Sequence, residues 1–521
     1  MKRSRPGYRS LVVPSVMLFF LANAVMARAE VTLPAVIGDH MVLQRGMPIT
    51  IWGWASPGED VTVALGELKA TAKTDAEGKW MVKLPELQAA GQILEMTISG
   101  KNTIKLSDIL VGEVWFGSGQ SNMQWSVRQS VNAAEEIAAA KYSQIRIFSV
   151  PLVPAGKPAK TVNASWKVCS PETVPDFSAV SYFFGREIHK ALGLPVGMIG
   201  TSWGGTRIEP WIPPSGFASQ PDLQKERDEI HALQTGYQNA LKAKVEESKA
   251  WVAAAEKAAA AGQELPDPPA MPGQPFNSNN VSTGLYNGMI HPLVPFAVRG
   301  ALWYQGESNR GQGMHYHSLM KGLIQGWRDV WGQGDFPFLY VQLAPYVYDT
   351  NVTALPEIWE AQMATLAFPN TGMAVTTDIS TVRDIHPPNK QEVGRRLALW
   401  ALAKTYGKSD VVYSGPHYES MSVDLDQAKV KFKYAGGLKS RDGKPLTWFS
   451  IAGADKRFLP ATATIEGEVV VVKSPQVTTP VAVRFGWHQA AEPNLANQAG
   501  LPAVPFRTDT WSDAVPAAPE Q

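Results

Sequence analysis

The stretch that decides the reading of this chain is Val111-Gly-Glu-Val-Trp-Phe-Gly-Ser-Gly-Gln-Ser-Asn-Met-Gln-Trp125. It begins as a short apolar run, Val114 to Phe116, and then breaks into glycines and small polar residues. The break places Ser121 where a strand ends and a helix begins. A hydroxyl on such a turn is exposed, and a backbone N–H there can face whatever the oxygen attacks, which is what a nucleophile needs. The same local pattern also describes a serine that caps a helix, so this stretch alone leaves both roles open.

Working outward, the flanks read as an α/β layout from residue 109 to about 408. Val180, Phe183, Phe184 and Ile188 share one helical face, with Gly193 as a stop. Pro195 to Ile199, Phe296 to Trp303, Phe338 to Leu343 and Met373 to Thr377 are strand candidates. Leu319, Leu323, Ile324, Trp327 and Val330 form a second helical stripe, and Val393, Leu397, Trp400 and Ala401 a third. Strands alternating with helices predict a three-layer α/β/α domain with a mostly parallel sheet. Loops after the carboxyl ends of such strands meet at one edge, where ligands bind. Four apolar runs lead into Gly-rich or polar loops, at Gly117, Gly200, Tyr304 and Asp378. Ser121, Gly204, Gly205, Gln305, Glu307, Asn309, Asp384 and His386 are therefore expected to converge.

Further out, the pattern changes. Residues 30–108 show short alternating strands with turns such as Ser56-Pro57-Gly58, which predicts an N-terminal β-sandwich-like domain without chemistry of its own. Residues 409–521 return to β and predict a second such domain with a short tail. Residues 218–275 interrupt the α/β part with one or two exposed helices and a Pro-rich link, read as a solvated spacer. Residues 1–29 carry a basic start (Lys2, Arg3, Arg5, Arg9), an apolar run and Ala27-Arg28-Ala29, the pattern of a cleaved signal peptide. The expectation is an exported protein, periplasmic or extracellular in a bacterium, with no membrane association once the signal is removed.

Composition narrows the function classes. A chain of 521 residues is too long for one core. Its net charge of +1 gives no electrostatic reason to bind nucleic acid or an anionic membrane. Its 17 tryptophans mildly favour a carbohydrate ligand, since indole faces stack on sugar rings, although most Trp residues fill cores. Cys169 is the single cysteine, so no internal disulfide forms, and it reads as a small buried apolar residue. His315 and His317 form a His-x-His pair. No carboxylate or thiolate lies close by in sequence and a helix would set the two apart, so no metal site is expected.

A hydroxyl nucleophile needs a base. Of 9 histidines, His386 in Arg383-Asp-Ile-His-Pro-Pro388 is the best candidate: it follows a strand, precedes a helix, and has Asp384 beside it. The motifs Gly119-Gln-Ser-Asn-Met123, Ser202-Trp-Gly-Gly-Thr206, Trp303-Tyr-Gln-Gly-Glu-Ser-Asn309 and Asp384-Ile-His-Pro387 together resemble the sialate O-acetylesterase family of the SGNH-hydrolase class. Met41-Val-Leu-Gln-Arg45, Trp52-Gly-Trp54 and Phe506-Arg-Thr-Asp509 extend the resemblance over nearly the whole mature chain.

The resemblance implies an SGNH-like fold and a cofactor-free serine esterase acting on O-acetylated carbohydrates, sialic acids first. Ser121 would be the nucleophile and His386 the base. The oxyanion donors would be the Ser121 N–H, Gly204 or Gly205, and the Gln305 amide, with Asn309 as runner-up. Many enzymes of this class place the triad acid three residues before the histidine, but Arg383 stands there. Asp384 is ranked first for that role, Glu307 second, with Asp378 a further choice. Arg207 either grips a substrate carboxylate at the cleft rim or pairs with Glu209. Acetylated xylan or another plant glycan is the second substrate reading. A non-catalytic carbohydrate-binding protein is the rival of a different class.

Overall fold

The computed structural model describes residues 30–88 and 91–511; the expected signal peptide (1–29) and the tail beyond 511 lie outside the described residues. The organising element is one long strand, Thr103–Gly119. Its second half is the centre of a sheet in which Thr371–Ala374, Phe338–Val341, Gly300–Tyr304, Thr103–Gly119, Val196–Ser202, Tyr142–Ser149 and Trp166–Cys169 lie side by side in that order. All neighbours run parallel except the edge strand Trp166–Cys169.

Successive side chains of a strand face opposite sides, and both sides here are covered by helices. Trp115 meets Phe184 of the helix Ala179–Leu192, with ring centroids 4.9 Å apart. Phe116 faces the other way, 4.8 Å from Trp327 of the helix His315–Trp331. The layout is α/β with a mostly parallel sheet. The chain order places later strands on both sides of Thr103–Gly119. Its carboxyl end is therefore the point where the winding reverses, and crevices form at such points.

The N-terminal strands are not set apart from this sheet. Leu94–Ser99 pairs antiparallel with the first half of Thr103–Gly119, Asp60–Leu65 with Leu94–Ser99, and Leu68–Lys73 with Asp60–Leu65. The expected boundary at 108/109 thus falls inside a single continuous strand. Ile49–Trp54 and Lys79–Leu84 make a separate two-stranded antiparallel sheet. The buried Glu113 carboxylate joins the parts: it takes Arg45, Arg299 at 2.7 Å and the Tyr406 hydroxyl at 3.0 Å. One apolar cluster runs from Val31 through the central sheet.

After residue 417 the strands are antiparallel. His417–Asp424, Gln427–Lys433, Val469–Lys473 and Thr462–Glu466 form one sheet, and Leu459–Pro460, Phe449–Ala452, Ala482–Phe485 and Phe506–Arg507 another. They enclose their own cluster, including Val430, Phe449, Val470 and Phe485. The expected helical interruption is one helix, Gln224–Ala260, mostly exposed along its length. No helix among the described residues is long and apolar enough to cross a membrane.

Candidate active site

The loops after Thr103–Gly119, Val196–Ser202 and Gly300–Tyr304 adjoin because the strands align in register. Gly119 stands opposite Ser202 on one side and Tyr304 on the other. Gly119 has φ +141, and a Cβ there would lie 2.2 Å from the Tyr304 carbonyl oxygen, so glycine is required for the close turn. Gln120 N–H donates to the Tyr304 carbonyl at 3.0 Å. The Gln120 side-chain oxygen accepts long bonds from the Gly306 and Ser308 N–H groups, each 3.4 Å. Ser121 then opens the one-turn helix Ser121–Gln124.

His386 Nε2 lies 2.8 Å from Ser121 Oγ. The imidazole stacks on Trp125, with centroids 4.9 Å apart and planes inclined by 17°, which fixes the ring's plane. Burial lowers the His386 pKa, the Lys390 ammonium lowers it further, and Asp384 partly offsets both. A neutral imidazole at neutral pH is the form that accepts a proton.

The acid candidates are placed differently from one another. Asp384 is exposed, and its Oδ1 accepts the His386 backbone N–H at 2.9 Å; it shapes the loop that carries the ring. Asp378 makes a bidentate pair with Arg396 at 2.6 and 2.7 Å. Glu307 accepts Asn122 Nδ2 on Oε1 at 2.6 Å, and its Oε2 is buried with no hydrogen-bond partner among the described residues. Burial raises the Glu307 pKa, an effect only partly countered by backbone N–H groups, Asn122 and Lys390.

Sequence reasoning missed what lies between the loops. Asn122 reaches three ways: to Glu307, to the Ile385 carbonyl at 2.9 Å, and to Lys390, whose Nζ donates to Asn122 Oδ1 at 2.6 Å. Lys390 is fully buried at the start of the helix Lys390–Trp400. Its ammonium lies 5.2 Å from the Tyr304 ring centroid. Burial pulls its pKa from 10.5 down to about 7, against the pull of Glu307 and Asp384. Asn122 thus ties the residue before His386 to the residue after Ser121. A lone lysine at a helix start carries no pattern that sequence could flag.

The oxyanion candidates also separate. Among the described residues, the Ser121 N–H has no protein acceptor. The Gly204 N–H donates to the Gln124 side-chain oxygen at 2.8 Å, and a Cβ on Gly204 would stand 3.2 Å from Ser121 Cβ. Gly205 follows with φ +74 in an exposed turn. Gln305 is fully buried and engaged by protein: its Nε2 donates to the Thr206 carbonyl at 3.2 Å and to Asn309 Oδ1 at 2.7 Å, while its oxygen accepts from Tyr316. Asn309 Nδ2 donates to Glu209 at 3.0 Å and to Gln312 at 2.8 Å. These two amides hold the 204–209 loop against the 304–309 loop, with their N–H groups engaged by protein. An amide in a Gly-rich loop looks alike in sequence whether it faces the cleft or the sheet.

Arg207 forks onto Glu209 through Nε at 3.2 Å and Nη2 at 2.6 Å, and its side chain is 49% exposed. His315 meets Glu226 at 2.8 Å and His317 meets Thr365 at 2.9 Å, so the two rings point to different partners. No group of His, Cys, Asp and Glu among the described residues is placed to hold a metal. Cys169 is buried, and burial pushes its thiol up to about 12.

Comparison with known proteins follows this geometry. The family described as "Carbohydrate esterase, sialic acid-specific acetylesterase" matches residues 268–403. The sialate O-acetylesterase of Mus musculus is 30% identical over 525 residues, covering 90% of this chain and 93% of that protein. That of Homo sapiens is 29% identical over 519 residues, covering 90% and 91%. The crystal structure of a carbohydrate acetylesterase from Xanthomonas citri is 36% identical, with a TM-score of 0.78 over 92% of this chain and 100% of that one. The chain belongs to the sialate O-acetylesterase family and is a carboxylic ester hydrolase.

Proposed function

We propose that the protein removes O-acetyl groups from sialic acids through an acetyl-enzyme on Ser121. The observation that carries this reading is the 2.8 Å contact between His386 Nε2 and Ser121 Oγ at the carboxyl edge of the sheet. His386 takes the Ser121 proton as the oxygen attacks the acetyl carbon. The tetrahedral intermediate's oxygen is held by the Ser121 N–H and by Gly204 N–H, once Gln124 gives up that donor; Gly205 adjoins them. Collapse breaks the bond to the sugar oxygen, which leaves with the proton from His386. Water, deprotonated by the same imidazole, then releases acetate and restores Ser121.

His386 acts here with Ser121 as a dyad. The Asp384 carboxylate favours the imidazolium through its charge and fixes the ring-bearing loop through the His386 N–H. Glu307 and Lys390, joined by Asn122, set the distance between the two loops. Gln305 and Asn309 hold the floor of the site from below. Arg207 keeps Nη1 for a substrate carboxylate while Glu209 holds its other two nitrogens. No step requires a metal or organic cofactor.

A second reading, an acetylated neutral glycan as substrate, is favoured by one observation: Glu209 already engages Arg207 bidentately. The substrate class is tested by acetate release from O-acetylated sialic acids, acetylated xylo-oligosaccharides and a simple aryl acetate. Preference for the sialic acid over the xylo-oligosaccharide supports the first reading; the reverse order replaces it with the second.

A further inference from the structure

A cleft of about 900 Å³ lies away from Ser121. One wall is the two-stranded antiparallel sheet of Ile49–Trp54 and Lys79–Leu84, in which Thr50 pairs with Lys83, Trp52 with Met81 and Trp54 with Lys79. Strand residues two apart share a face, so these six side chains stand together on the side away from Ile49, Ile51, Trp80, Val82 and Leu84; of the six, Trp52 is itself buried. All six line the cleft. The other wall comes from Val294, Pro295 and Ala297, just before Gly300–Tyr304, and from Trp331 to Gln333, just before Phe338–Val341. Both segments precede strands whose far ends carry or flank the catalytic loops. The cleft therefore sits at the opposite edge of the sheet, about one strand length or roughly 15 Å from Ser121.

The outer face of an antiparallel sheet is ordinarily polar and solvated. This one instead offers half-buried Trp54 and exposed Met81 beside lysines. Lys160 adds a third cation from a separate segment, 5.4 Å from the Trp54 ring centroid. Lys79, Lys83 and Lys160 are exposed, no carboxylate lines the cleft, and none of the three makes an ion pair among the described residues. Such a concentration is notable in a chain of net charge +1.

We propose that this cleft is a second binding site, separate from the catalytic one, for an acidic oligosaccharide. The CH face of a sugar ring lies against Trp54 and Met81, and carboxylates of the chain meet Lys79, Lys83 and Lys160. A wall of indole and thioether suits a sugar ring better than the separate pockets that peptide side chains require.

The test uses full-length protein carrying Ser121→Ala and oligomers without acetyl groups, so that it is independent of the esterase reading. Calorimetry is run with oligosialic acid, oligogalacturonate, a neutral xylo-oligosaccharide and polyglutamate. Binding of either acidic glycan, weakened roughly tenfold or more by Trp54→Ala and by Lys79→Glu/Lys160→Glu, is the expected result. The same changes in the Ser121-containing protein should leave aryl acetate hydrolysis intact, which also shows that the variants fold. Absence of acidic-glycan binding, equal binding by the variants, equal binding of the neutral oligomer, or polyglutamate binding as tightly as the glycans overturns the proposal.

Discussion

Asn122 Oδ1 accepts the buried Lys390 ammonium at 2.6 Å, and the same amide's nitrogen donates to Glu307 and to the carbonyl of Ile385. A cation and a carboxyl from different loops are thus joined beside the Ser121–His386 contact, by the residue adjacent to Ser121.

Asn122→Ala removes that clamp without touching a reacting atom. Small displacements of oriented groups cost rate more than binding. The expected outcome is a kcat lowered by roughly 10- to 100-fold with KM changed little, measured by acetate release. A KM effect with kcat unchanged would place Asn122 in substrate binding instead.

Lys390→Met separates the ammonium from its bulk. His386 must be neutral to act, and the Lys390 charge helps keep its pKa low. Removing that charge raises the imidazole pKa, so the acid limb of kcat/KM moves to higher pH. A limb that stays in place, in a folded variant, contradicts the coupling.

The same lysine affects stability with a definite sign. Its folded pKa is about 7 against an ordinary 10.5. Below about 7 both folded and unfolded chains hold the proton, and the burial penalty is fully present. Between about 7 and 10.5 the unfolded chain binds the extra proton, so stability from this group rises with pH. Denaturation measured across that window should show the wild type gaining on Lys390→Met as pH increases; a flat difference argues against the lowered pKa.

Gln124 holds the Gly204 N–H that the proposed mechanism assigns to the developing oxyanion. One neutral hydrogen bond contributes about 0.5–1.5 kcal/mol net, so Gln124→Ala should raise kcat/KM for an aryl acetate by roughly 2- to 10-fold. A loss instead would mean that Gln124 positions the Gly204 turn.

Arg207→Ala distinguishes two uses of one guanidinium. A loss confined to acidic acetylated sugars indicates that the free Nη1 meets a substrate carboxylate. Equal losses on acidic sugars and on neutral acetyl esters assign Arg207 to the Glu209 pair.

The α/β alternation was legible because apolar stripes at helical spacing, such as Leu319 to Val330, and short apolar runs ending in Gly-rich loops have distinct periods. Ser121 and His386 were legible as candidates because each lies beyond a strand of the sheet, within a specific motif. The continuity of Thr103–Gly119 was not, since its first half alternates as a surface strand while its second half is buried on both faces, and the change of pattern resembles a boundary. Nor was the orientation of Gln305 and Asn309, which depends on Tyr316 and Glu209 reaching them from other elements. Lys390 escaped notice because its burial is decided by Tyr304 and Glu307, which lie in another loop.

The central claim is that the Ser121 hydroxyl, activated by His386, carries the acetyl transfer. Acetate release from an O-acetylated sialic acid by purified wild type, Ser121→Ala and His386→Ala tests it most directly. The account predicts kcat/KM reduced by roughly 10³-fold or more in each folded variant, with no further loss in the double variant beyond either one alone, because the two act as a unit. Retention of near wild-type turnover by Ser121→Ala would contradict it.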